Sequence, residues 1–305
     1  MNGTHYLISL GGYVDVDKYR YVYFAVFLML YLLILCCNLT IICLVWIHRN
    51  LHEPMYIFIA ALSFNSLLFS TVIYPKLLVD VLSYRQSISH SACMFQYLIF
   101  YSLAGSDFLL LSAMAYDRYV SICRPLQYAA TMRPASVVVF LTVAWILPAC
   151  LVLVATVFTA QQKMCHLVLS GMFCNNAIQK LYCVVPRFLT VWGLVVLTNI
   201  TLFPVLFILF TYIKIFIVTY RSCGEIRKKV AETCLPHLMV LISFSCLCGF
   251  DVIIARLESE LSKTVRLIMS LQIVVYNPLF NPIIYGVKMK EIWKHIRKLL
   301  FCHRR

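Results

Sequence analysis

The chain has 305 residues, of which 62% are hydrophobic and only 12% charged. That is too apolar for an ordinary soluble enzyme or carrier, and it makes a bilayer the natural solvent. The net charge of +14 fits attachment to an anionic membrane face, and nucleic acid is an unneeded explanation.

Five stretches contain no Asp, Glu, Lys or Arg: Val22 to Ile47, Met55 to Pro75, Ala135 to Ala160, Phe188 to Ile213 and Leu267 to Val287. Each is long enough to cross roughly 30 Å of hydrocarbon as a helix. Two more carry charges: Ser91 to Ser121 has Asp107 inside and Asp117 and Arg118 at its inner end, and roughly Cys234 to Ala255 has Asp251. The expected fold is therefore all-α, a bundle of seven transmembrane helices. With the N-terminus outside, the inner loops hold Arg49, then Arg118, Arg124 and Arg133, then Lys214, Arg221, Arg227, Lys228 and Lys229, then seven basic residues from Lys288 to Arg305. The positive-inside rule favours that orientation. The organisation that follows is an extracellular segment 1–21, a membrane domain 22–287 and a cytoplasmic basic tail 288–305. No cleavable signal peptide is expected in residues 1–20, which lack an apolar core, so the first span would be the insertion signal.

In chain order, Asn2-Gly3-Thr4 forms a glycosylation sequon on the outer side. Asn38, in mid-span, must hydrogen-bond to neighbouring helices. Leu51-His52-Glu53-Pro54-Met55-Tyr56 forms a short loop whose proline suits the first turn of a helix. Asp107, buried in the bundle, must be paired, protonated or bound to a cation. Along the third span Cys93, Tyr97, Tyr101, Ala104 and Phe108 recur every three or four residues, marking one face. Small Ala104 and Gly105 leave room there, so Tyr101, Ala104 and Gly105 are ligand-facing candidates. That span ends in Met114-Ala115-Tyr116-Asp117-Arg118-Tyr119-Val120-Ser121-Ile122-Cys123-Arg124-Pro125-Leu126-Gln127-Tyr128. An Asp-Arg pair where hydrocarbon gives way to water is costly enough to indicate function. Four cysteines on the oxidising side, Cys93, Cys165, Cys174 and Cys183, allow three connectivities.

Pro148 and Pro204 interrupt the fourth and fifth spans. His237, in Thr233-Cys234-Leu235-Pro236-His237, is read either as a partner of the Asp117-Arg118 region or as a packing histidine. Arg256 is read either as an anion-facing guanidinium or as a snorkelling side chain pairing with Asp251, Glu258 or Glu260. Asn277-Pro278-Leu279-Phe280-Asn281-Pro282-Ile283-Ile284-Tyr285 loosens the seventh helix by removing backbone donors. In the tail Ile292, Trp293, Ile296, Leu299 and Leu300 alternate with basic residues, as in a helix lying on anionic lipid, and Cys302 is a candidate for palmitoylation. Nothing supports bond-making chemistry or a cofactor: there is no nucleophile with a base, no metal-ligand spacing and no phosphate loop.

These motifs, from the sequon to the basic tail, resemble those of vertebrate odorant receptors, a branch of the rhodopsin-like G-protein-coupled receptors. Met114 to Tyr128 is similar almost letter for letter, while Leu51 to Tyr56 and Thr233 to His237 resemble motifs specific to that branch. Phe69 to Lys76 with Leu82-Ser83 resemble its class I members, tuned to water-borne ligands. The resemblance implies disulfides Cys93–Cys174 and Cys165–Cys183, and a G-protein switch made of Asp117, Arg118, Tyr119, Tyr212, His237, Asn281, Pro282 and Tyr285. It also implies a ligand site in the outer half of the bundle, to which Asn176, Val252 and Arg256 are assigned with the third-span residues. The implied partners are a small odorant, an anionic one where Arg256 faces it, the olfactory stimulatory G protein and the bilayer. The implied place is the plasma membrane, in cilia or microvilli of olfactory sensory neurons. The chain departs from the pattern at Ser66, where the family writes an Asp that helps hold sodium, which leaves Asp107 as the remaining acid for such a site. It departs again at Phe244-Ser245, where odorant receptors usually have Phe-Tyr. Rival readings are a rhodopsin-like receptor for a lipid, steroid or amine, and an ion-coupled transporter, although the internal repeat expected of a transporter is missing.

Overall fold

The computed structural model describes residues 6–220, 224–257 and 262–301, with backbone alone at some helical positions, including 250–257. Asn2, Glu258, Glu260 and Cys302 lie outside the described residues, as do the side chains of Asp251, Val252 and Arg256.

Among the described residues eight long helices follow one another, with a short helical segment Tyr128–Thr131 between the third and fourth: α1 Val16–Ile47, α2 Pro54–Leu82, α3 His90–Cys123, α4 Pro134–Ala160, α5 Arg187–Tyr220, α6 Gly224–Leu257, α7 Lys263–Lys288 and α8 Lys290–Phe301. Six of the first seven are long and apolar enough to span a membrane. The other, α6, has 34 residues and an apolar stretch at Cys234–Cys246. Local chemistry starts several of them. Pro54 and Pro134 sit in the first turns of α2 and α4, where a missing N–H costs nothing. Ser89 caps α3 by accepting from the Ala92 amide, and Ser262 caps α7 by accepting from Val265. Helix α1 begins at Val16, ahead of the uncharged run, with Arg20 paired to Asp17 at 2.9 Å.

Helix α3 runs through the middle, touching α2, α4, α5 and α6. It and α2 bury most of their central residues, whereas α1, α4 and α5 bury a minority and turn Val, Leu, Ile and Phe outward. In lipid that outward apolar surface costs nothing, so the bundle is sorted by its polar residues and close contacts instead.

Three short strands close one end: β1 Leu7–Leu10 pairs antiparallel with β2 Ser87–Ser89 and parallel with β3 Val168–Leu169. Two disulfides stand at the same end, Cys93–Cys174 and Cys165–Cys183. Arg49, Arg118, Arg124, Arg133, Lys214 and α8 lie at the opposite end, which the positive-inside rule makes the cytoplasmic one.

Candidate functional site

Two carbonyls freed by proline knit α7 into the bundle. Pro282 has no N–H for the Pro278 carbonyl, and Asn38 Nδ2 of α1 donates to that oxygen at 2.9 Å. Pro278 likewise releases the Val274 carbonyl, which accepts from Tyr74 Oη of α2 at 3.5 Å. The unusual backbone of α7 is thus satisfied by side chains from two other helices.

At the cytoplasmic end Asp117 is fully buried. Arg118 Nε donates to its Oδ2 at 2.9 Å, and Nη2 closes on the same oxygen. The other oxygen, Oδ1, accepts from Tyr128 Oη at 2.9 Å. Burial, and then the neighbouring carboxylate, push the Tyr128 phenol well above its ordinary pKa, so it remains a donor. Tyr128 stands on the short loop after α3, and no role was expected of it. Its signal was its place as the last letter of the Met114 to Tyr128 motif.

None of the other expected switch residues joins that triad. His237 does not reach Asp117, whose oxygens are taken; its Nδ1 shares a hydrogen bond with Tyr285 Oη at 3.2 Å, tying α6 to α7. His237 Nε2 and the buried Tyr212 hydroxyl have no hydrogen-bond partner among the described residues. Tyr119 turns away, its ring 5.8 Å from the Arg124 guanidinium. Asn281 Nδ2 reaches Ser66 Oγ at 3.4 Å.

In mid-bundle Asp107 is 1% exposed and accepts from Asn65 Nδ2 and Asn277 Nδ2, each at 2.7 Å. Trp145 Nε1 donates to Asn65 Oδ1 at 3.1 Å, which brings α4 into the same network. A sodium ion needs several oxygen ligands. Asp107 is faced by N–H groups and Ser66 stands in place of the second acid, so these residues do not fit that ion.

Towards the outer end, Tyr101 Oη accepts from the Asn176 amide at 2.9 Å, and Tyr97 Oη donates to Asn176 Oδ1 at 3.3 Å. Tyr101 and Asn176 are thus brought together, with Ala104 one turn deeper and packed on the inner core. Gly105 is placed differently from the expected vacancy. A Cβ there would lie 2.6 Å from Ile200 Cγ2 and 2.8 Å from Pro148 Cβ, so the glycine lets α4 and α5 close on α3. Helix α5 makes one π turn at Thr198–Leu202, which carries Ile200 into that contact.

Above lies a cap. Phe173 packs on Phe100 at 5.3 Å, and the Cys174 amide donates to Gln96 Oε1 at 3.0 Å. A Cβ on Gly12 would sit 2.5 Å from the Gly171 carbonyl carbon, so the N-terminal segment presses directly on this loop. Tyr13 Oη donates to Asp80, which Lys76 also pairs, while Lys76 Nζ reaches the Ser87 carbonyl at 2.8 Å.

Seven long helices, six of them long and apolar enough to cross a membrane, a capped outer end and a carboxylate-bound guanidinium at the inner rim are the architecture of a seven-helix G-protein-coupled receptor. The family model described as Olfactory receptor matches residues 27–303. Human olfactory receptor 14J1 is 35% identical over 302 residues, covering 95% of this chain and 91% of that one. Human olfactory receptor 11A1 is 34% identical over 302 residues, covering 95% and 92%, and rat olfactory receptor 1 is 33% identical over 293 residues, covering 94% and 92%. The chain belongs to the olfactory receptor family: it is an odorant receptor of the plasma membrane and no enzyme.

Proposed function

We propose that this receptor binds small water-borne odorants, some of them anionic, between Tyr101, Ala104, Asn176, Val252 and Arg256. The bound ligand favours a bundle in which Arg118 leaves Asp117, α6 moves outward, and the stimulatory olfactory G protein docks and raises cyclic AMP. The plasma membrane of cilia or microvilli of olfactory sensory neurons is the corresponding place. Gly105 contributes by holding α4 and α5 behind this site. The single observation that carries the reading is the closed arrangement of Arg118 and Tyr128 on a buried Asp117. A ligand can open it only through its differential affinity for the open bundle.

The test is a cyclic AMP reporter in transfected cells exposed to amino acids, bile-type steroids, fatty acids and amines. Arg118→Ala should abolish any response while the receptor still reaches the surface, and Arg256→Ala should weaken responses to acids and spare neutral odorants. Undiminished signalling by Arg118→Ala overturns the switch, and equal loss for acids and neutral ligands overturns the anion contact.

A further inference from the structure

A carboxylate as deeply buried as that of Asp107 needs a counter-ion, a proton or a set of hydrogen-bond donors. Here donors surround it. Oδ1 accepts from Asn65 Nδ2 and Oδ2 from Asn277 Nδ2, each at 2.7 Å. The Asn65 amide is fixed in this sense by two further bonds. Its Nδ2 also donates to the Leu103 carbonyl at 2.8 Å, and its Oδ1 accepts the Trp145 indole N–H at 3.1 Å. Turning the amide round would set its oxygen against those of Asp107 and Leu103, and its N–H against that of Trp145. A cation approaching Asp107 from the side of either amide therefore meets hydrogens.

Oxygen ligands are scarce as well. Ser66 Oγ already accepts from Asn281 Nδ2 at 3.4 Å. Among the described residues, the buried Asn281 Oδ1 of this group has no hydrogen-bond partner. The cavity that Asn277, Asn281 and Ser243 help to line measures about 10 Å³, room for one water at most.

We propose that the bridge Asn65–Asp107–Asn277 takes the place of a cation as the tie between α2, α3 and α7, so that the stability of this receptor is indifferent to sodium. One amide from each side neutralises the need for a counter-ion, and the indole of Trp145 extends the tie to α4.

The test melts the full-length receptor in detergent micelles in about 0.15 M NaCl and in N-methylglucamine chloride of equal ionic strength. Coincident midpoints are expected. A sodium-specific rise of roughly 3 °C or more that saturates with concentration overturns the proposal. The wild-type comparison needs no variant and decides the sodium question alone. The bridge is then tested by Asn277→Ala, which removes one donor from a buried carboxylate and should lower the midpoint by roughly 4 °C or more in both salts. An unchanged midpoint overturns the tie between α3 and α7.

Discussion

Asp117 is held by two donors of different kinds. The guanidinium of Arg118 supplies charge, and the Tyr128 phenol supplies a neutral O–H from a different segment of chain. Removing the phenol leaves the ion pair in place but takes one hydrogen bond from a buried anion, a loss of about 1.5–3 kcal/mol before water compensates at the membrane edge. Tyr128→Phe should therefore raise ligand-independent cyclic AMP by roughly tenfold, and a basal level equal to wild type would show that the phenol does not hold the resting state. Gly105→Ala makes a different demand, because its methyl would overlap Ile200 and Pro148. It should cost about 1–3 kcal/mol, read as a lower melting midpoint and reduced surface expression. These two residues also mark how far single letters could be read. The Asp117-Arg118 pair declared itself by its cost in a membrane. Tyr128 did not, because a phenol eleven residues away is unremarkable until the loop folds back. Gly105 was read as empty space because a missing side chain looks the same in sequence whether a ligand or a neighbouring helix fills the gap.

Hydrophobicity reveals elements that cross a bilayer, and seven spans were legible for that reason. The cap was not. Strand β1 has four residues and joins partners near positions 88 and 168, pairings with no local periodicity to betray them. The π turn in α5 was equally hidden, since one extra residue in a helical turn leaves the apolar composition unchanged. The two disulfides anchor what the strands cover. Cys93–Cys174 closes a loop of 81 residues, worth roughly 4.5 kcal/mol in the chain-entropy account. Cys93→Ser, Cys174→Ser and the double variant should share one defect in surface expression and melting midpoint, whereas additive losses would mean that the two cysteines serve different partners.

In the whole molecule the ties stand at three depths. The cap holds the outer end, the amide–carboxylate bridge joins α2, α3, α4 and α7 in the middle, and two ties stand at the cytoplasmic end. One of these, Asp117 with Tyr128, lies on α3 and its following loop; the other, His237 with Tyr285, spans α6 and α7. If the bundle has one resting and one signalling arrangement, both inner ties belong to the resting one, and each contributes to the same equilibrium. Their free energies then add, and their effects on basal signalling multiply. Tyr285→Phe keeps the ring against His237 but removes the 3.2 Å hydrogen bond, a neutral bond worth about 1 kcal/mol or a fivefold change in population. Combined with Tyr128→Phe it should raise basal cyclic AMP by the product of the two single effects, up to the ceiling at which the signalling arrangement is already dominant. Basal levels are compared at equal surface expression. A double variant no more active than the stronger single one, still below that ceiling, would mean that the two ties open in sequence rather than together, and that α6 can part from α7 while Asp117 stays latched.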